Sequence, residues 1–303
     1  MLGITALFAA LCVPGFLLGR LFEKASEGSS VGLILQYVAM PALVFSSLSG
    51  PLPETVRAEK LAVSALMPAV LAAILFLVTA FVFPKEKDGA RRSALRVCAI
   101  FPNCGFFGIP LAAALFPDQP EVKLEVAVFN VVSTVIYLTF GACLMGGKRD
   151  RRETAKSLLE APVLWAAALG IAVSLTGLSE RLGFLGSYSD LLSGLCTPLA
   201  MIGLGMSVAH RRVKPDAGMF RAALVRLLLS PLIAVALTLP FSSRSLTDAM
   251  LISAGVCTAG SVPALIGRYG GDGGYAAVCT FLNTALSVLT LPLLYGLSTL
   301  LPL

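Results

Sequence analysis

Ten stretches of mostly apolar residues alternate with short polar segments along this chain, at residues 4–21, 33–48, 61–83, 94–116, 126–145, 162–178, 191–209, 220–239, 249–269 and 276–300. A helix needs about 20 such residues to span the hydrocarbon core of a bilayer. The pattern therefore predicts an all-α integral membrane protein of ten transmembrane helices, with no length left for a folded soluble domain. The first stretch has no basic residues ahead of it and is read as a retained span, not a signal peptide.

Basic residues orient the spans. With the N-terminus outside, the inner loops hold Arg20, Lys24, Lys85, Lys87, Arg91, Arg92, Arg96, Lys148, Arg149, Arg151, Arg152, Lys156, Arg211, Arg212, Lys214, Arg221 and Arg268. The outer loops hold only Arg57, Lys60, Lys123, Arg181 and Arg244. Lys and Arg concentrate on the cytoplasmic side of membrane proteins. The bias predicts a multi-pass protein of the cell membrane with both termini outside and an even number of spans. Arg226 falls inside the eighth span, where it either snorkels to the interface or faces a cavity.

Composition agrees. Hydrophobic residues make up 57% and charged residues 13%, too few charges to cover a soluble surface. The net charge of +6 sits in the short loops, not on a basic face, so no nucleic-acid partner is expected. The seven cysteines lie in apolar runs without CxxC spacing and read as free thiols; His210 reads as a loop-edge residue. No cofactor or metal is expected. Asp118, Glu121, Glu125, Glu160, Asp190, Asp248 and Asp272 lie near span edges. This argues against paired-carboxylate proteolysis and against the usual carboxylate proton relay. There is no HExxH or G-x-S-x-G either, so an enzyme is not expected.

The two halves resemble each other. Pro41 and Pro198 recur in spans two and seven, and Pro68 and Pro231 in spans three and eight. Gly105 and Pro110 answer to Gly260 and Pro263 in spans four and nine. AVFNVVST at Ala127 answers to AVCTFLNT at Ala277 in spans five and ten. An odd number of spans per half inverts the second half, as in many secondary transporters. The expected division is 1–147, a cytoplasmic linker 148–157, and 158–303.

Two prolines and two glycines in FPNCGFFGIP, from Phe101, make an unbroken helix untenable; TAGSVP from Thr258 is its counterpart. Broken helices leave donors at one new end and acceptors at the other. Matching broken spans point to a transporter's binding site. The candidate substrate-binding residues are Asn103, Gly105, Pro110, Asn130, Thr134, Ser261, Pro263, Asn283 and Thr284. The Ser, Thr and Asn side chains among them fit either substrate contact or interhelical hydrogen bonding.

PNCGFFGIPL from Pro102 resembles the span-four signature of the auxin efflux carrier family. Gly260-Ser261-Val262-Pro263-Ala264, Tyr269-Gly270, Asn283-Thr284 and Leu291-Pro292 are similar to its second-half signature. The resemblance covers essentially the whole chain, which lacks the long central loop of the plant carriers. It extends to relatives such as the bile acid:sodium symporters. It implies two inverted five-helix repeats, with helices 1, 2, 6 and 7 as scaffold and helices 3–5 and 8–10 as transport domain. Helices 4 and 9 would be broken and cross near Pro110 and Pro263. It also implies elevator-like transport of a small organic anion; the partners expected are that anion, the lipid bilayer and a second copy of the chain through the scaffold helices. The alternatives are a sodium-coupled organic-anion symporter and a passive channel.

The topology has a direct check. A single cysteine placed within residues 148–156 should react with a membrane-impermeant thiol reagent only in opened cells. Labelling in intact cells would invert the assignment.

Overall fold

The computed structural model describes residues 1–22, 29–52, 57–84, 88–141, 144, 151–179, 181–209 and 213–301. His210, Cys143, Lys148 and Arg149 lie outside the described residues. Among those described, the fold is all-helical apart from one isolated two-residue bridge. The helices are α1 (Leu2–Leu21), α2 (Val31–Leu48), α3 (Ala58–Val82), α4 (Gly89–Ile100), α5 (Cys104–Leu115), α6 (Pro120–Gly141), α7 (Arg151–Leu159), α8 (Pro162–Leu175), α9 (Gly183–Val208), α10 (Ala217–Phe241), α11 (Arg244–Gly255), α12 (Val262–Arg268) and α13 (Gly273–Ser298).

Seven of these, α1, α2, α3, α6, α9, α10 and α13, are long and apolar enough to cross a membrane. The difference from the ten expected runs has a plain origin. The fourth and ninth runs are each split, into α4 with α5 and α11 with α12, and the sixth forms a helix of only 14 residues. Side chains such as Leu77, Phe81, Phe184 and Leu289 point outward. An apolar exterior of this kind suits lipid, not water.

Several helices begin earlier than hydropathy placed them. α4 starts at Gly89, where the Asp88 carboxylate accepts from the N–H groups of Ala90 and Arg91. α11 starts at Arg244 behind Ser243, and α13 at Gly273 behind Asp272, whose carboxylate accepts from Tyr275 N–H at 2.8 Å. These polar caps satisfy the free N–H groups of a first turn. A search for apolar runs passes over them.

Proline shapes three helices in the same way. A five-residue π-helical turn lies just ahead of Pro41, Pro110 and Pro231, at Leu35–Ala39, Cys104–Gly108 and Val225–Leu229. A proline ring clashes with the carbonyl four residues back and brings no N–H. Widening the preceding turn relieves that clash.

α1 packs on α9 and α2 on α8, while α3 packs on α6, α10 on α11, and α6 on α11. The α1–α9 contact is a close backbone approach. A Cβ on Gly15 would overlap the Ile202 carbonyl, and one on Gly205 the Cys12 carbonyl. Membrane helices use small residues to pack at this range, since lipid supplies no hydrophobic drive for association. Gly15→Leu should therefore destabilise the protein by about 1–3 kcal/mol, read as a lower Tm in detergent. Gly3→Ala, with nothing within 4 Å of its Cβ position, should not lower it.

Candidate functional site

The two interrupted runs meet. α4 ends at Ile100 and α11 at Gly255, and the extended residues that follow pair as an antiparallel bridge between Pro102 and Thr258. Asn103 N–H donates to the Cys257 carbonyl at 2.7 Å, and Ala259 N–H to the Phe101 carbonyl at 3.0 Å. The crossing thus lies at Phe101–Asn103 and Cys257–Ala259, not near Pro110 and Pro263 as the resemblance implied. Pro263 instead sits in the first two positions of α12, while Pro110 lies inside α5, just past its π-helical turn. The proline in the first turn of α12 loses nothing, because that turn's N–H has no intrahelical acceptor.

Buried carbonyls at a helix end need partners, and here they can be followed one by one. The Cys98 carbonyl accepts from the Thr258 hydroxyl at 2.7 Å. Those of Ala99 and Ile100 accept from Arg226 Nη1 at 3.4 and 2.6 Å. Across the crossing, the Ala254 carbonyl accepts from Arg226 Nη2, which also donates to Ser230 Oγ at 2.6 Å. Arg226 is 1% exposed. It does not snorkel to the interface; it lines a cleft, with its Nη donors turned to protein oxygens. The two free helix ends draw it inward.

Around the crossing the polar side chains divide. Asn103, buried at the start of α5, has its amide nitrogen 3.8 Å from Cys257 Sγ. The Cys257 thiol is also a hydrogen-bonding neighbour of Thr284. Asn283 donates to Thr258 Oγ1 at 2.6 Å, so one hydroxyl in the segment after α11 links α13 to the end of α4. Asn130 on α6 is buried beside Gly105, its Oδ1 3.1 Å from where a Cβ on that glycine would sit. Met40 of α2 packs directly on the same glycine. The amide nitrogen of Asn130, Oδ1 of Asn283 and the hydroxyl of Thr280 are buried with no hydrogen-bond partner among the described residues. Thr134 and Thr284 bond back to the carbonyls of Asn130 and Thr280, one turn earlier on their own helices.

Asn103, Gly105, Asn130, Asn283 and Thr284 are therefore gathered at or beside the crossing. Ser261 is not: it is exposed, and its hydroxyl meets Tyr137 Oη at 3.2 Å. It sits at the end of the unwound segment, as the residue just before α12. A cleft of only about 10 Å³ lies at the crossing between α3, α6 and α10; Phe101, Pro102, Ser133, Arg226 and Ser230 line it. Among the described residues, no three His, Cys, Asp or Glu side chains converge to hold a metal ion.

Two participants at the crossing go beyond the sequence reading: Thr258, there only part of the break, and Arg226, there without a partner. Away from the crossing, Glu125 lies near the span edge as expected, on the second turn of α6, but is fully buried, with both carboxylate oxygens unpartnered among the described residues. An i, i+4 pair of Arg226 and Ser230 across a span was the available signal for the second.

The family model described as "Membrane transport protein" matches residues 11–158 and 152–295, which together take in nearly the whole chain. The chain belongs to this family, the auxin efflux carriers. A protein of Methanothermobacter thermautotrophicus described as an uncharacterized transporter is 28% identical over 293 residues, covering 91% of this chain and 90% of that one. This carrier is a multi-pass membrane transport protein, not an enzyme.

The Thr258 hydroxyl bonds on both sides within a buried crossing. Thr258→Val should leave the Cys98 carbonyl and the Asn283 amide without partners, at about 1–3 kcal/mol for each group. Thr258→Ser should restore most of the loss. Thermal unfolding in detergent of the two variants beside the unaltered protein measures the difference.

Proposed function

We propose that this carrier moves a small organic anion, a carboxylate, across the cell membrane by alternating access, with the crossing as its substrate site. One observation carries the reading. Two interrupted helices meet in the buried interior, beside an amide donor on Asn130 that has no protein partner among the described residues. Asn103 adds a second amide, held only by a long contact to sulfur. Buried N–H groups left spare are suited to carboxylate oxygens, and the N-terminal end of α5 adds a favourable field. Among the described residues no cluster of metal-ligating side chains is found, and the polar groups at the crossing are amides and hydroxyls suited to binding.

The same reading takes the chain as ten spans in two inverted five-helix repeats. The recurrence of Pro41 and Pro198, and of the two breaks, supports it. The packing of α1 and α2 on α9 and α8, apart from that of α3, α6, α10 and α11, supports a scaffold and a moving transport domain. On this reading α2 is scaffold, so Met40 against Gly105 marks where the moving domain bears on it.

Purified protein in liposomes should take up one acid from a panel of mono- and dicarboxylates, with saturation and counterflow. Counterflow separates a carrier from a channel, and strict sodium dependence would favour the symporter alternative. Asn103→Ala, correctly inserted, should lose at least about tenfold in uptake, since a hydrogen bond to a charged group contributes about 1.5–3 kcal/mol. Unchanged binding and uptake would remove Asn103 from the site.

A further inference from the structure

Arg226 is a fully buried cation without an acidic partner: none of the ion pairs among the described residues includes it. An unpaired charge in a membrane interior is costly and normally serves a function. Its compensation comes from elsewhere. α4 and α11 are each 12 residues long and both end at the guanidinium. The C-terminus of a helix carries roughly half a negative charge. Two such ends amount to roughly one negative charge, which the arginine offsets. The oxygens on it are the carbonyls of Ala99, Ile100 and Ala254 and the hydroxyl of Ser230, all neutral. Neutral oxygens at half-helix C-termini are also what transporters use to coordinate a monovalent cation. An arginine is protonated at any accessible pH and cannot leave.

We propose that Arg226 is a tethered cation occupying the place between the two half-helix ends that a bound sodium ion would otherwise take. The carrier therefore needs no sodium to hold its crossing together. Removing the guanidinium exposes a latent sodium site made of the same oxygens. Ile100, Arg226 and Ser230 line the small cleft between α3, α6 and α10, next to these oxygens. This reading concerns the crossing itself and does not depend on the identity of the transported anion.

Thermal unfolding in detergent, without substrate, compares sodium chloride with choline chloride at equal ionic strength. The unaltered protein should unfold at the same temperature in both. Arg226→Ala, prepared in sodium and exchanged, should unfold lower in choline and regain roughly 5 °C as sodium rises to saturation. Arg226→Lys keeps a tethered charge and should respond equally to both salts. The proposal is overturned if Arg226→Ala is equally destabilised in both salts or cannot be recovered in either. A saturable sodium effect on the unaltered protein would overturn it too. Because no substrate enters the measurement, its failure is distinct from a failure of the uptake experiment.

Discussion

The organisation of this protein depends on burying two helix ends where no bulk water can reach them. An α-helix satisfies its own backbone everywhere except at its ends, and a membrane interior gives those ends nothing else to bond. Splitting the fourth and ninth runs therefore creates a set of orphan acceptors that the fold must meet from its own side chains and backbone. It does so by facing the two breaks together. Pro102 pairs with Thr258, the backbone N–H groups of Asn103 and Ala259 bond across, and Arg226 and Thr258 take the carbonyls that remain. Remove any of these and a buried polar group is left bare.

This constraint explains why the surrounding residues are what they are. α11 is buried along its whole length from Ser245 to Gly255, because it carries one half of the crossing through the middle of the bundle. Gly105 has no side chain because Met40 and Asn130 already fill the space. The residues that would be unremarkable in a soluble core, Thr258 and Ser230, become necessary here: a hydroxyl is a small group able to donate and accept at once.

How far the chain could be read without coordinates follows from which signals are local. Apolar runs of bilayer length are local, and they placed all seven long spans. Helix breaks are also local, because FPNCGFFGIP and TAGSVP state their own difficulty. Polar first turns are local too, but a hydropathy scale counts Asp88 and Ser243 as loop when they are caps, so α4 and α11 came out short. The crossing point was different. The prolines are the conspicuous residues, yet Pro110 lies within α5 and Pro263 opens α12, and the contact falls about two turns earlier at Phe101–Asn103 and one turn earlier at Cys257–Ala259. Pairing between residues more than 150 positions apart leaves no mark in either segment alone.

Arg226 shows the same limit from the side of charge. A single arginine in an apolar run was weighed against two destinations, the interface and a cavity, both of which treat the helix as if it stood alone. Its actual partners are the ends of two other helices, 28 and more than 120 residues away in sequence. Counting orphan carbonyls at each break would have exposed the need for a donor, and an apolar protein of this size has few buried groups able to serve three acceptors at once. Arginine does so because its planar fork holds several N–H groups at fixed angles. A lysine presents its charge at a single point, and a neutral donor leaves the two helix dipoles uncompensated. The sequence carried the arginine, the serine one turn along, and both breaks. What joined them was the requirement that buried backbone be satisfied, which acts on the whole fold at once.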